Sequence, residues 1–283
     1  MGRIAYQVLE FGPVDSLLTY ASITQGFKSG GFNGRAVTLE TFEVPFDPET
    51  VIAYELGFKS QLWGNRIQLN ADGFFSDYDD MQVTIFDAVA GAAVTQVENA
   101  AKAEIWGAEV EIVTVPVDGL DVRMSWSFLS PEYKKFCETS SDGASSSGCA
   151  AGQVDVAASR KFVISPENTF SIGAAYTFPE TAFGTPYIRL DYYWQDEVFF
   201  ATKDYEFNSQ GTYGLLSGRL ALLDIEAPLG LGRMQFALWG ENLTDESYRT
   251  FGIDFGDAFG IVGNTYGAPR TYGFELDWNF TAG

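Results

Sequence analysis

Apolar and polar residues alternate with period two in segment after segment of this chain, which predicts β-strands with one apolar and one polar face. From 52 to 62 the apolar positions are Ile52, Tyr54, Leu56, Phe58 and Leu62, with Ala53, Glu55, Gly57, Lys59 and Gln61 between them. Leu120, Val122, Met124, Trp126 and Phe128 stand opposite Asp121, Arg123, Ser125 and Ser127. Phe170, Ile172, Ala174, Tyr176 and Phe178 face one way, and Thr169, Ser171, Gly173, Ala175 and Thr177 the other. Near the end, Tyr272, Phe274, Leu276, Trp278 and Phe280 alternate with Thr271, Gly273, Glu275, Asp277 and Asn279. No helical stripe at three-and-four spacing competes with these patterns.

Eleven candidate strands follow, near 3–10, 16–27, 50–62, 66–86, 101–114, 120–132, 167–178, 187–200, 213–227, 233–243 and 270–280. Leu220-Ala221-Leu222-Leu223 breaks the alternation inside one of them and predicts a bulge there. The connections alternate strictly in length. Gly12 to Asp15, Gly64-Asn65, Pro116 to Gly119, Pro179 to Pro186 and Pro228 to Gly232 are short. The stretches 28–49, 87–100, 133–166, 201–212 and 244–269 are long. A soluble sandwich has no reason to sort its loops this way, whereas a bacterial outer-membrane barrel has short periplasmic turns and long surface loops. Most of the strands also exceed the roughly 9–11 residues that cross a bilayer at a tilt. The fold class expected is therefore all-β, an antiparallel up-and-down transmembrane β-barrel wall of about eleven strands, with 1–283 as a single partial barrel domain.

Composition sharpens this picture. Aromatics reach 16% and charged residues only 19%, a profile of strand formers rather than of helices. The formal net charge of −21 excludes nucleic acid as a partner, since phosphate binding needs clustered Lys and Arg. No stretch of 18 apolar residues exists to make a membrane-spanning helix. Trp63, Phe178, Tyr187 and Phe280 lie beside short turns or near the terminus, where aromatic rings settle at a membrane boundary. The sequence around Met1 lacks the basic-then-apolar pattern of a signal peptide, so for an exported protein the chain is expected to be a fragment.

Candidate chemistry is sparse. Without a single histidine, hydrolytic schemes that need an imidazole base are closed, and no enzymatic activity or resident cofactor is expected. Glu109 and Glu111 share one strand face and read as polar lining rather than an acid/base pair. Asp77, Asp79 and Asp80, and separately Asp254 and Asp257, lack the spacing of a calcium loop and read as solvated loop acids; no metal site is expected. Cys137 and Cys149 bracket a Ser/Gly-rich stretch, and their spacing fits neither a zinc site nor a CxxC couple. A disulfide closing a surface loop is the favoured reading, with two free thiols as the alternative.

Several passages resemble the barrel of TonB-dependent outer-membrane receptors. Tyr20-Ala21-Ser22 with Gly26-Phe27-Lys28-Ser29-Gly30-Gly31-Phe32-Asn33 is similar to that family's strand and loop "YxSxxxGFKSGGFN". Asp47-Pro48-Glu49-Thr50 and Tyr54-Glu55-Leu56-Gly57-Phe58-Lys59-Ser60 are similar to "PETxxxYELGxKS". Gly107-Ala108-Glu109-Val110-Glu111 resembles "GxExE", Asn242 to Arg249 resembles "NLTDexYR", and Gly267 to Gly273 resembles "GxPRtyg". Barrels of this family have about 22 strands, so the resemblance implies the C-terminal half of one. It lacks the signal, TonB-contacting segment and plug, and it ends on Thr281-Ala282-Gly283 where the family usually ends on an aromatic.

The resemblance implies a receptor in the outer membrane of a Gram-negative bacterium that imports a scarce nutrient such as a ferric siderophore. Its implied partners are outer-membrane lipid and lipopolysaccharide, the TonB complex through the missing N-terminal region, and a small-molecule ligand. The alternative is a passive porin-type channel. Loop aromatics offer stacking surfaces for the ligand and nearby cations offer charge. The candidates carried forward are Phe27, Lys28, Phe32, Phe86, Tyr133, Phe200, Lys203, Tyr205 and Arg249.

Overall fold

The computed structural model describes residues 1–34, 42–89, 92–99, 101–140, 142–203, 207–254 and 260–280. Eleven strands run in chain order across one sheet: β1 (Gly2–Phe11), β2 (Val14–Lys28), β3 (Glu49–Leu62), β4 (Ile67–Asp79), β5 (Ala101–Thr114), β6 (Leu120–Thr139), β7 (Asn168–Thr177), β8 (Thr185–Gln195), β9 (Tyr213–Glu226), β10 (Arg233–Glu241) and β11 (Thr271–Asn279). Each pairs antiparallel with its sequence neighbour, and a short strand, Gln153–Asp155, adds to the outer end of β6. The strands β1 and β11 are the two ends of the sheet and do not pair with each other.

Turn chemistry explains the short rim. Trp63, Gly64 and Asn65 all have positive φ, and together they reverse the chain between β3 and β4. The long connections all lie at the opposite rim. There the structure departs from the expected boundaries. The segment expected as one strand over 66–86 stops at Asp79, because Asp80 takes a left-handed φ of 54°. The chain then makes its own hairpin, Gln82–Val89 against Ala92–Asn99. The strand expected to end near 132 continues to Thr139, and the one expected over 187–200 ends at Gln195. The expected bulge lies in β9, where pairing with β10 slips between Leu222 and Ile225 around Asp224, itself at φ 53°.

Register then sorts the side chains onto two faces. Leu220, Leu238 and Phe274 stand in one row across β9, β10 and β11, and Leu222, Phe236 and Leu276 in the next. Several of these are well exposed, Phe274 by 74%, Leu276 by 58% and Leu220 by 56%, as is Leu56 on β3. So broad an apolar face would be unfavourable in water but suits hydrocarbon. The other face holds Glu55, Asp72 and Glu109 beside one another on β3, β4 and β5, and Arg219 and Glu275 on β9 and β11. Tyr187, expected at the membrane boundary, instead shares the polar face with Arg189 and stands opposite Ala221. Alternation from Arg189 and Asp191 fixes that, whatever its nearness to a turn.

Candidate functional site: the outer rim and the polar wall

The wall between the two faces is one strand thick, so anything it does must come from the polar face and from the long loops above it. The polar face is closely tied together. Arg3 on β1 lies over the Tyr20 ring, 5.3 Å from its centroid. The Tyr20 hydroxyl donates to Glu55 at 2.6 Å, and the ring sits where Gly57 has no side chain. Asn70 donates to Glu111 at 3.0 Å, Arg219 to Glu275 at 2.7 Å and Gln235 to Asp277 at 2.6 Å. Glu109 and Glu111 both belong to this lining, opposite Ser127 and Ser125. Charged groups are tolerated on the face of such a strand that does not meet lipid.

At the outer rim, the residues of the quoted motifs fasten loops to one another. Asn33 acts as a stand-in strand residue: its amide donates to the Val97 carbonyl at 3.1 Å and accepts from the Val97 N–H at 2.8 Å. Gln82 donates to the carbonyls of Ser29 and Asp47, and its own N–H reaches Glu49 at 2.7 Å. Asn99 donates to the Asp47 and Asp80 carbonyls and accepts from the Asp47 N–H at 2.7 Å. Seven of these bonds, at about 1 kcal/mol each at most where they are exposed, join the 28–49 connection to the 82–99 hairpin. On the other side, Asn242 donates to the carbonyls of Glu246 and Ala268, and Asp245 accepts from the Arg270 N–H at 3.2 Å.

A small apolar core lies above β4–β6, built from Val83, Ala103, Tyr133 and Phe136 with Phe162 against it. Tyr133 stacks on Phe162 at 4.0 Å. Beside it, the nearly buried Arg160 forms a two-pronged pair with Glu138. Cys137 and Cys149 are joined by a disulfide that closes the intervening loop. Burial pushes the Tyr133 phenol up to about 12. In the disulfide loop, the Ser140 hydroxyl and the Ala144 N–H donate to Asp142 and hold its carboxyl below the usual range.

The ligand candidates are scattered by this arrangement. Tyr133 and Phe200 are buried among loop residues. Arg249 is used structurally, donating its side chain to the Ser209 carbonyl and its N–H to Gln210. Phe27 continues the apolar face, opposite Thr50, whereas Lys28 is on the polar face opposite Glu49. Phe32 and Lys203 are exposed. Phe86 is within the 82–89 strand, and Tyr205 lies outside the described residues, as does Asp257. Asp77 and Asp79 face Lys102 at 3.4 and 4.0 Å. The rim amides Asn33, Gln82 and Asn99 are not among the sequence candidates, and only Asn33 falls inside a quoted motif.

A family model described as TonB dependent receptor-like, beta-barrel, matches residues 2–243. Among solved structures, the chain is similar to the ferric yersiniabactin uptake receptor FyuA from Yersinia pestis, with a TM-score of 0.68 and 21% identity over 99% of this chain and 37% of that one. It is similar to a copper transporter, OprC, with a TM-score of 0.64 and 14% identity over 98% of this chain and 39% of that one. It is also similar to the ferripyoverdine receptor of the outer membrane of Pseudomonas aeruginosa, with a TM-score of 0.60 and 16% identity over 98% and 32%. The chain therefore spans well under half the length of each, and at these identities the likeness is one of fold.

Proposed function

The chain belongs to the TonB-dependent receptor β-barrel family, whose members sit in the Gram-negative outer membrane, and on that premise we propose that it is half of the wall of a nutrient importer. The substrate class that fits is a scarce metal complex such as a ferric siderophore, drawn inward with energy relayed by TonB through a part of the receptor beyond these residues. Lipid and lipopolysaccharide would cover the apolar face. The role is transport rather than catalysis.

The observation that carries this reading is the rim network. Asn33, Gln82 and Asn99 hold long surface loops in a defined arrangement above a charged wall. A receptor that must recognise a ligand needs such ordered loops, whereas a passive pore needs chiefly a constriction. Lys28 and Phe32, with Lys203, are the proposed ligand contacts, since their side chains are exposed at this rim. The test is iron uptake by iron-starved cells expressing the full-length receptor, with and without TonB. Uptake that needs both the receptor and TonB is expected; TonB-independent uptake of any small solute would replace this reading with that of a porin.

A further inference from the structure

Asn33 and Gly34 form the only Asn-Gly pair in the chain. Asparagine is a thermolabile residue, most of all before glycine. Glycine has no side chain to shield its own backbone nitrogen, and it has the widest backbone freedom. That nitrogen can reach the asparagine Cγ and close a five-membered ring. Gly34 offers little resistance to this. It is exposed, its φ is not in the left-handed region, and nothing lies within 4 Å of where a Cβ would be.

Asn33 is restrained in the opposite sense. Val97 holds its amide at both ends, accepting from it at 3.1 Å and donating to it at 2.8 Å. Swinging the Cγ round to the Gly34 nitrogen means giving up those bonds. The grip lasts only while the 82–99 hairpin stays against the 28–49 connection. Gln82 and Asn99 keep it there through Ser29, Asp47 and Glu49. Lability and restraint thus meet at one residue, which couples loop opening to covalent change.

We propose that Asn33 is a deamidation site guarded by the rim network, and that its modification makes a transient parting of the two loops permanent. When the loops part, the Gly34 nitrogen loses its proton and bonds to Asn33 Cγ. The Cγ–Nδ2 bond breaks and ammonia leaves. One water then opens the ring at either of its two C–N bonds, giving aspartate or isoaspartate, with no oxidant or reductant consumed. In aspartate a carboxylate stands where the amide donated, so two acceptors face each other at the Val97 carbonyl and that bond cannot re-form. In isoaspartate the main chain itself runs through the former Cγ, and the grip is lost altogether.

The test is to age the full-length receptor in detergent at mildly alkaline pH and follow residue 33 by peptide mass spectrometry. Receptor heated and held in urea is the unguarded reference. Asn33 should deamidate more slowly in folded wild type than in that reference. Gln82→Ala combined with Asn99→Ala should speed the folded rate about five-fold or more, the gain in opening when one such bond is lost. Hydrogen exchange over 82–99 should rise in aged wild type in step with the modified fraction. Gly34→Val, whose branched side chain hinders ring closure, should stay unmodified and keep its protection. Should the double variant fail to fold by heat-modifiability gel, the wild-type and Gly34→Val arms decide. Equal rates in folded and unfolded wild type, or in folded wild type and the folded double variant, would overturn the guard. Exchange unchanged in modified chains would overturn the lasting release, and either result defeats the proposal.

Discussion

Tyr248 lies across Gly267, its ring so close that no Cβ could be accommodated there. The same ring stacks on Tyr213 at 4.7 Å, and the Gly267 N–H donates to the Tyr248 carbonyl at 2.9 Å. Two of the quoted motifs, the one ending Ser247-Tyr248-Arg249 and the one beginning Gly267-Ala268-Pro269-Arg270, thus meet in one contact that seats the last long connection on β9. Gly267→Ala in the full-length receptor should lower stability by about 1–3 kcal/mol through overpacking. Gly263→Ala, where the nearest atom is an ordinary 3.4 Å contact with Ile253, should change little. The folded fraction in a heat-modifiability gel after graded urea treatment would show whether the two differ.

The faces of β11 make a second test. Leu276 sits among apolar neighbours, while Glu275 receives Arg219 on the polar side. An arginine on the lipid side near the bilayer midplane costs roughly 2–4 kcal/mol. Loss of a half-exposed ion pair costs about 0–1 kcal/mol. Leu276→Arg should therefore deplete folded barrel in membranes far more than Glu275→Gln. Equal depletion would mean that the faces are reversed or that neither meets lipid.

The Cys137–Cys149 link should be present in exported protein. Closing a loop of this length is worth on the order of 3 kcal/mol by chain entropy. It should protect the loop rather than the whole barrel, because the strands beneath it are paired without it. Mass spectrometry of unreduced peptides should find the two cysteines joined, and reduction should speed proteolysis near 138–148. Two freely alkylated thiols would refute the link.

Tyr133 offers a pH test. It lies on the part of β6 that continues past the roughly 11 residues needed to cross the bilayer. Its phenol is shifted from 10.0 to about 12 because burial disfavours the phenolate. The neutral form is what the folded loop accommodates, so its contribution is fully present below pH 10 and is lost as the pH rises towards 12. A phenolate difference spectrum between wild type and Tyr133→Phe should show one tyrosine titrating near pH 12 in folded protein. A component at pH 10 would place the ring in solvent.

The period-two alternation was enough to locate all eleven strands, because one-residue register errors would turn apolar side chains into the polar wall. Loop-length sorting separated the rims for the same topological reason. The outer rim was not legible in this way. Asp80 leaves the strand by a local backbone choice, and nothing in the alternation of 66–86 marks it. The burial of Tyr133 and Phe200 depends on contacts with Phe162 and Gly252, far away in sequence. Arg249 read as a ligand contact because charge and position are visible in a sequence, whereas its hydrogen bonds to 209 and 210 are not.

The unpaired edges decide what these residues can do by themselves. With eleven antiparallel strands, β1 and β11 run in the same direction, so closing one on the other would need a parallel seam. Single-chain bacterial barrels instead keep an even number of strands. Left open in hydrocarbon, each unpaired N–H or carbonyl along β1 and β11 costs several kcal/mol, and strands of ten and nine residues carry many such groups. Exposed edges also template association. Expressed alone behind a signal peptide, residues 1–283 should therefore accumulate as aggregate or degrade, and give no TonB-dependent uptake in a receptor-deficient strain. Co-expression with strands that complete the barrel should restore heat-modifiable protein in the outer membrane. Energy-dependent iron uptake by the isolated chain would show that the edges close in a way the present register does not.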